Sequence, residues 1–360
     1  MTIQRTMKRS LVPLLAAPAL FAFSGLGQGI AFAPKSGLIL TKTFSQKDET
    51  TLDDMSTVVN DMEQDVGMEQ NISTHVDVVV VDEYEAVADG APTRLKRKYD
   101  KLESATTMKM SNKMMPETSI DMTGTSELQG QEVRFTRNED GTYTAKFVKE
   151  GAADEALLEG LTEDTDLRAF LPTTEVEEGA TWEVEPEELR HVLAFGGSLK
   201  FDMQSEDMPE GMGGFGGGQD MPSADQFLGE IDGTITGEYA GTREEEGAKV
   251  AVINLKIAVK SAKDMTDFFR DAMDKAELPE GMNMEIEYKS VDMEYELEAE
   301  AVLLWNLGGS HVSSFEMTGK GTLTMDMSMA MEMEGMGKMN LEMSMLMKSD
   351  STLTLSTTAE

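Results

Sequence analysis

The sequence predicts a mainly β protein: a long-stranded antiparallel meander, folded as a curved sheet or half-barrel, with a few short helices. Three stretches carry this expectation. Met325, Met327, Met329, Met331 and Met333 alternate with Asp326, Ser328, Ala330 and Glu332, the period of a strand with one apolar face. Val291, Met293, Tyr295, Leu297, Ala299, Ala301, Leu303 and Trp305 alternate with Asp292, Glu294, Glu296, Glu298 and Glu300 in the same way. Ile72, Thr74, Val76, Val78, Val80 and Tyr84 give a third strand with a centre of almost pure valine.

Composition bounds the function classes. The 360 residues hold no cysteine and carry a formal net charge of −36, or −39 once Arg5, Lys8 and Arg9 are removed with a leader. Those three basic residues precede the apolar run Leu11 to Phe23, the pattern of a secretory signal peptide. Ala31-Phe32-Ala33 offers a cleavage site, although Pro34 directly after it is an awkward residue for the cut. The expectation is export, to the periplasm or the exterior. The acidity disfavours nucleic acid and anionic lipid surfaces as partners, and after the leader no segment is long and apolar enough to span a membrane as a helix. The chain divides into a signal peptide over 1–33, an N-terminal β-rich region with short helices over 34–195, a Gly/Pro/Met-rich loop over 196–227, and a C-terminal antiparallel sheet with one helix over 228–360. The last is expected to be continuous with the N-terminal region.

In chain order, Leu38, Leu40, Lys42 and Phe44 begin a strand, while Leu52, Met55, Val59, Met62 and Val66 fit helix and strand spacing equally well. The valine strand turns at Ala88 to Pro92 into a basic segment, Arg94, Lys96, Arg97, Lys98 and Lys101. That segment either pairs with acidic neighbours and guards an edge or grips an anion or a polyanionic envelope polymer. Short strands are expected around Met108, Met110, Ile120 and Met122. Val133 and Phe135 then lead into Asn138 to Gly141, and a three-residue loop with Gly141 at positive φ would pair Val133 with Phe147 and Phe135 with Ala145. Short helices are expected near 154–161, 186–195 and 264–277, the second opened by Pro186 with Glu187 and Glu188 at its positive end. A bulge near Lys289-Ser290 reconciles the even register of Met284, Ile286 and Tyr288 with the odd register that follows. With Met333 opposite Met339, the last two strands form a hairpin whose odd residues share one apolar face, and that face needs a cover.

Three stretches, taken together, resemble a group of uncharacterised exported planctomycete-type proteins. They are Asp82-Glu-Tyr84 with Gly90 to Arg97, Leu171-Pro172 leading to Val176 and Gly179-Ala-Thr-Trp182, and Leu303-Leu-Trp305 to Gly309. The resemblance implies a secreted β-rich protein and no catalytic residue. The architecture is also loosely similar to lipoprotein-carrier half-barrels, in which a curved antiparallel sheet wraps around helices.

The chemistry on offer is sparse. No catalytic, cofactor-binding or metal-ligating residue is assigned, and no cofactor is expected. There is no Gly-x-Ser-x-Gly elbow, and His75, His191 and His311 share no metal spacing. Gly211 to Gly216 has dinucleotide-fingerprint spacing without the strand and helix it requires. The leading expectation is therefore a noncatalytic binding or envelope protein, with a lipid, an apolar ligand or an envelope protein as partner. The alternatives are a periplasmic methionine-rich copper-binding protein, because thioethers suit Cu(I), and an unrecognised hydrolase.

Overall fold

The computed structural model describes residues 29–64, 67–113, 116–205, 227–275, 284–333 and 337–359. Almost all regular structure is strand, in one antiparallel sheet. In chain order the strands are β1 (Ile39–Val59), β2 (Met62–Gln64), β3 (Glu69–Ala88), β4 (Ala91–Ser111), β5 (Thr118–Thr125), β6 (Glu132–Arg137) and β7 (Tyr143–Phe147). They continue with β8 (Thr181–Val184), β9 (Asp202–Gln204), β10 (Glu230–Glu245), β11 (Ala248–Asp264), β12 (Met284–Asn306), β13 (His311–Met333) and β14 (Gly337–Ala359). The order across the sheet is β7-β6-β4-β3-β1-β14-β13-β12-β11-β10-β8, with β2, β5 and β9 added at the sides. Two meanders, β3-β4-β6-β7 and β10 to β14, are joined because the first long strand pairs with the last from Leu40–Ala359 to Val59–Leu341. The sheet does not close on itself. At ~3.3 Å per residue, a 23-residue strand is ~75 Å long.

The core shows the curvature. Leu95 and Phe135 from one side of the sheet and Ile235 and Tyr239 from the other join a single buried cluster with Phe170, Leu189, Val192 and Phe195 between them. The sheet therefore wraps around the segment 161–201, as a half-barrel does. One of the expected short helices lies in that segment, one just before it and one after β11. Residues Glu155–Leu158 and Pro186–Leu189 are 3-10 turns, the latter running into α1 (Arg190–Leu193), and α2 (Thr266–Lys275) follows β11. All three sit where the sequence put them, and α2 opens with Asp264 Oδ1 accepting from Thr266 N–H.

Hairpin chemistry agrees with the sequence in most places. Val133 pairs with Phe147 and Phe135 with Ala145, and Gly141 has φ +89°. A register shift lies between Tyr288 and Ser290. The spacing leaves Leu52 to Val66 open between helix and strand; Leu52 to Val59 is strand, paired with β14, and Asn60 and Asp61 at positive φ then turn the chain tightly into β2. Two expectations need correction. Met108 and Met110 are not a separate short strand but the far end of β4, which stays paired to β3 throughout. In the last hairpin Met331 faces Met339 and Met333 faces Gly337, a closure two residues tighter than expected that leaves the parity of both strands intact. The Gly/Pro/Met-rich loop also starts later than residue 196. Leu199 and Met203 are buried, β9 pairs with β5, and the glycine-rich stretch from 206 to 226 lies outside the described residues.

Candidate functional site

The core face of the sheet is divided into three zones along the strands. The first is organised by charge. Lys42, Asp82 and Arg97 occupy the inward parity of β1, β3 and β4, between Leu40 and Phe44, Val80 and Tyr84, and Leu95 and Tyr99, and all three are fully buried. The Arg97 guanidinium holds Asp82 with Nε–Oδ1 2.7 Å and Nη2–Oδ2 2.9 Å, the two-pronged geometry that gives such pairs their strength. Lys42 Nζ lies 2.9 Å from Asp82, 2.9 Å from the Tyr84 hydroxyl and 2.8 Å from Asp166. Thr165 Oγ1 accepts from both cations, and Arg97 also donates to the carbonyls of Thr162 and Glu163. Two cations thus face two anions, and the hydrogen bonds pin strap 162–168 against the sheet. Burial alone would raise the Asp82 carboxyl, but Arg97 and Lys42 hold it well below the carboxylate range. Burial pushes the Tyr84 hydroxyl well above its usual value, helped by Asp166 and Asp82.

The outer side of the strap forms a cleft of about 510 Å³ lined by Tyr143, Glu163, Asp164, Arg168, Glu188 and His191. Glu163 pairs with Arg168, yet its burial outweighs that partner and pushes its carboxyl up to about 7. His191 is raised chiefly by its contact with Glu188, 3.3 Å away. His75 contacts Asp77 on the sheet, and His311 Nδ1 lies 2.7 Å from the carbonyl of Val312, so the three histidines belong to three different settings. Among the described residues no group of three or more His, Asp or Glu side chains could hold a metal ion.

The second zone is a belt of small and polar residues. Gln46, Asp48, Thr50, Thr74, Thr106, Ser349 and Ser351 share the core face through the registers of β1 with β14, β1 with β3 and β3 with β4. Gly319 and Gly321 continue the belt on β13. At Gly319 a Cβ would meet that of Ala299 at 2.8 Å, so only glycine lets the two strands pack as they do.

The third zone is the methionine ladder. Met329 is buried, whereas Met327, Met331, Met343 and Met345 are half-buried, and Asp326, Glu332 and Glu342 on the other face are exposed. The shared face is as expected, but its cover is partial. Phe268, Phe269 and Met273 of α2 close over Met265, Tyr288, Val291, Met293 and Met329, with Met325, Met327 and Met331 at the margin. Met343, Met345 and Met347 on β14 are not part of that cluster. A second methionine patch, Met108, Met110, Met122 and Met203, gathers around Ile120 on the opposite wing. It lies on the same face, since Gly321, Ser349, Thr50, Ile72, Met108 and Ile120 form one row across the sheet.

The basic segment is absorbed by acidic partners: Arg94 by Glu85, Lys96 by Glu83, Arg97 by Asp82, Lys98 by Asp100, and Lys101 by Asp77 and Glu103. The three stretches behind the planctomycete-type resemblance meet in the first zone. Asp82, Tyr84 and Arg97 make the charge cluster, Trp182 donates from Nε1 to the Phe170 carbonyl at 3.1 Å, and Phe32 bridges Tyr84 and Trp305 with ring centroids 5.9 and 6.3 Å away. Lys42, Glu163, Thr165, Asp166 and Arg168 were not foreseen as members. The readable signal was a charged residue on the apolar parity of each of three strands.

Fold and face together define a single-sheet, long-stranded β protein with a partly open methionine surface. No protein-family model and no curated protein matches the chain. Among solved structures, an outer membrane channel from Pseudomonas putida F1 aligns over 92% of this chain and 99% of its own, at 8% identity and a TM-score of 0.19. A likeness that low transfers neither fold nor function, and the planctomycete-type resemblance finds no counterpart in these comparisons. Among the described residues no helix is long and apolar enough to cross a membrane.

Proposed function

We propose that this chain is an exported, noncatalytic binding protein that holds a single-chain amphiphile on the core face of its sheet. The zoning of that face is the observation that supports the reading. A packed, charge-pinned core gives way to a polar belt able to hydrogen-bond a head group, and then to methionine patches on both wings, half-open over Met327, Met343 and Met345 on one and over Met108 and Met110 on the other. Methionine is unbranched and flexible, so a wall of it adapts to chains of varying shape. The strong internal pairing of Asp82 and Arg97 fits a structural role better than proton transfer, which favours binding over catalysis. The test is organic extraction of the purified mature chain followed by mass spectrometry. Near-stoichiometric amphiphile is expected, and Met327→Asp with Met343→Asp should deplete it. A chain that carries no lipid and takes up none from fatty-acid or lysophospholipid solutions would overturn the reading.

A further inference from the structure

The pairing of β12, β13, β14 and β1 sets Met293 opposite Met325, Met325 opposite Met345, and Met345 opposite Met55. Four methionines therefore stand in one row across four adjacent strands, on one face. Two residues further along, Met327 and Met343 are paired in the same way. Neighbouring strands lie ~4.8 Å apart and same-face residues on one strand ~7 Å apart. Met325, Met327, Met343 and Met345 thus root four long, flexible side chains at the corners of a small quadrilateral, with Met293 and Met55 flanking it.

Three further features distinguish this row from ordinary packing. Its exposure is graded: Met293 is 8% exposed, while Met55, Met325, Met327, Met343 and Met345 are half-buried, so the row is covered at one end and partly open along the rest. Its chemistry is uniform, because Asp292, Glu294, Asp326, Ser344 and Glu342 have the opposite parity and leave the row without a carboxylate or an imidazole. Its residue choice is local. Where the same face is fully packed it is built mainly from Leu255, Ile257, Leu297, Leu303, Leu353 and Leu355, and branched residues are the better strand formers. Thioether replaces them where the face opens.

We infer that this row is a binding site for a soft monovalent metal ion, Cu(I) in its biological form, held by three or four thioethers drawn from Met293, Met325, Met327, Met343, Met345 and Met55. Neutral sulfur ligands suit a soft, singly charged ion, whereas zinc prefers thiolate, imidazole or carboxylate and calcium requires oxygen. The inference does not rest on the amphiphile reading, and it is tested on delipidated protein so that the two can fail separately.

The experiment titrates the full mature chain anaerobically with Cu(I) against a chromogenic Cu(I) chelator. In parallel, redox-inert Ag(I) is followed through the methyl resonances of 13C-methyl-methionine. One equivalent of Cu(I) should be withheld from the chelator, and Ag(I) should shift the methyls of Met325 and Met345 together with their row neighbours. Buried Met317 and exposed Met62 should stay put. The double variant Met325→Leu with Met345→Leu keeps apolar volume and should lose at least tenfold in affinity at an unchanged thermal midpoint. If that variant is unstable, the Ag(I) map of the natural chain decides. The proposal is overturned if the chain yields its Cu(I) to the chelator, if Ag(I) shifts Met62 or Met317 rather than the row, or if the stable double variant binds as before.

Discussion

Asp82 is the residue on which most of the core electrostatics depend, because it neutralises Arg97 through two hydrogen bonds and Lys42 through a third in a site without water-exposed surface. Removing its charge leaves a buried cation uncompensated, a situation that costs roughly 3–5 kcal/mol. Asp82→Asn should therefore lower stability by about that amount in urea unfolding, whereas Lys98→Gln, which breaks an exposed, solvent-screened pair with Asp100, should leave the unfolding midpoint nearly unchanged. Two of the perturbed carboxyls, Asp82 and Glu163, act in opposite directions with pH. Asp82 is depressed in the folded state, so its contribution is complete above the ordinary aspartate value of ~3.9 and is lost as pH falls through the lower folded value. Glu163 is raised to about 7, so the folded state holds its proton more tightly; that contribution is complete below ~4.3 and is lost as pH rises through 7. Stability should decline with pH between those limits, with a slope approaching ~1.4 kcal/mol per unit. In urea titrations at several pH values Glu163→Gln should flatten that slope, and an unchanged slope would remove Glu163 as its cause.

At the scale of elements, the strands are held in register by parity. A one-residue slip of β13 would turn Phe315, Met317 and Met329 outward and bring Glu316 and Asp326 into the core. Met329, the buried rung of the ladder, is the place to test this. Met329→Asp places a carboxylate against Tyr288 and Val291 and should cost more than ~3 kcal/mol. Ser328→Asp, on the other face, should cost a small fraction of that, and equal sensitivity of the two positions would refute the register. The helix α2 matters because its Phe268, Phe269 and Met273 cover this end of β12 and β13, joined by Phe227. Phe269→Ala removes a ring that packs on Tyr288 at 5.6 Å between centroids. It should expose the ladder further, read as a gain in the binding of a hydrophobic dye.

For the whole molecule, the decisive contact is β1 with β14. These two strands join the meanders into one sheet, so a chain shortened before Gly337 would leave β1 and β13 each with an open flank some twenty residues long. Such a chain should aggregate instead of folding, as size-exclusion chromatography after expression would show. The beginning of the described chain gives another expectation. Ile30 and Phe32 are buried, with Phe32 between Tyr84, Trp305 and the Arg168 guanidinium. Cleavage after Ala33, the boundary the sequence suggests, would leave that space empty, so under the export reading N-terminal sequencing is expected to find the cut upstream of Ile30.

Alternation alone determined the fold class, the long strands, the shared face of the methionines, the bulge at Lys289-Ser290 and the Gly141 hairpin, since each follows from neighbours a few residues apart. The three short helices were legible for the same reason, through Pro186, Asp264 and local acidic residues. Other features depended on residues far apart in the chain. Lys42, Asp82, Arg97 and Asp166 come from four separate segments, and the sequence marked three of them only as charges on an apolar parity. Their pairing exists because the sheet curves around the strap that carries Thr165 and Asp166. The same curvature decided how far the methionine face is covered: α2 reaches β12 and β13 but leaves β14 half-open, an outcome set by where a helix docks and not by the period of the strand beneath it.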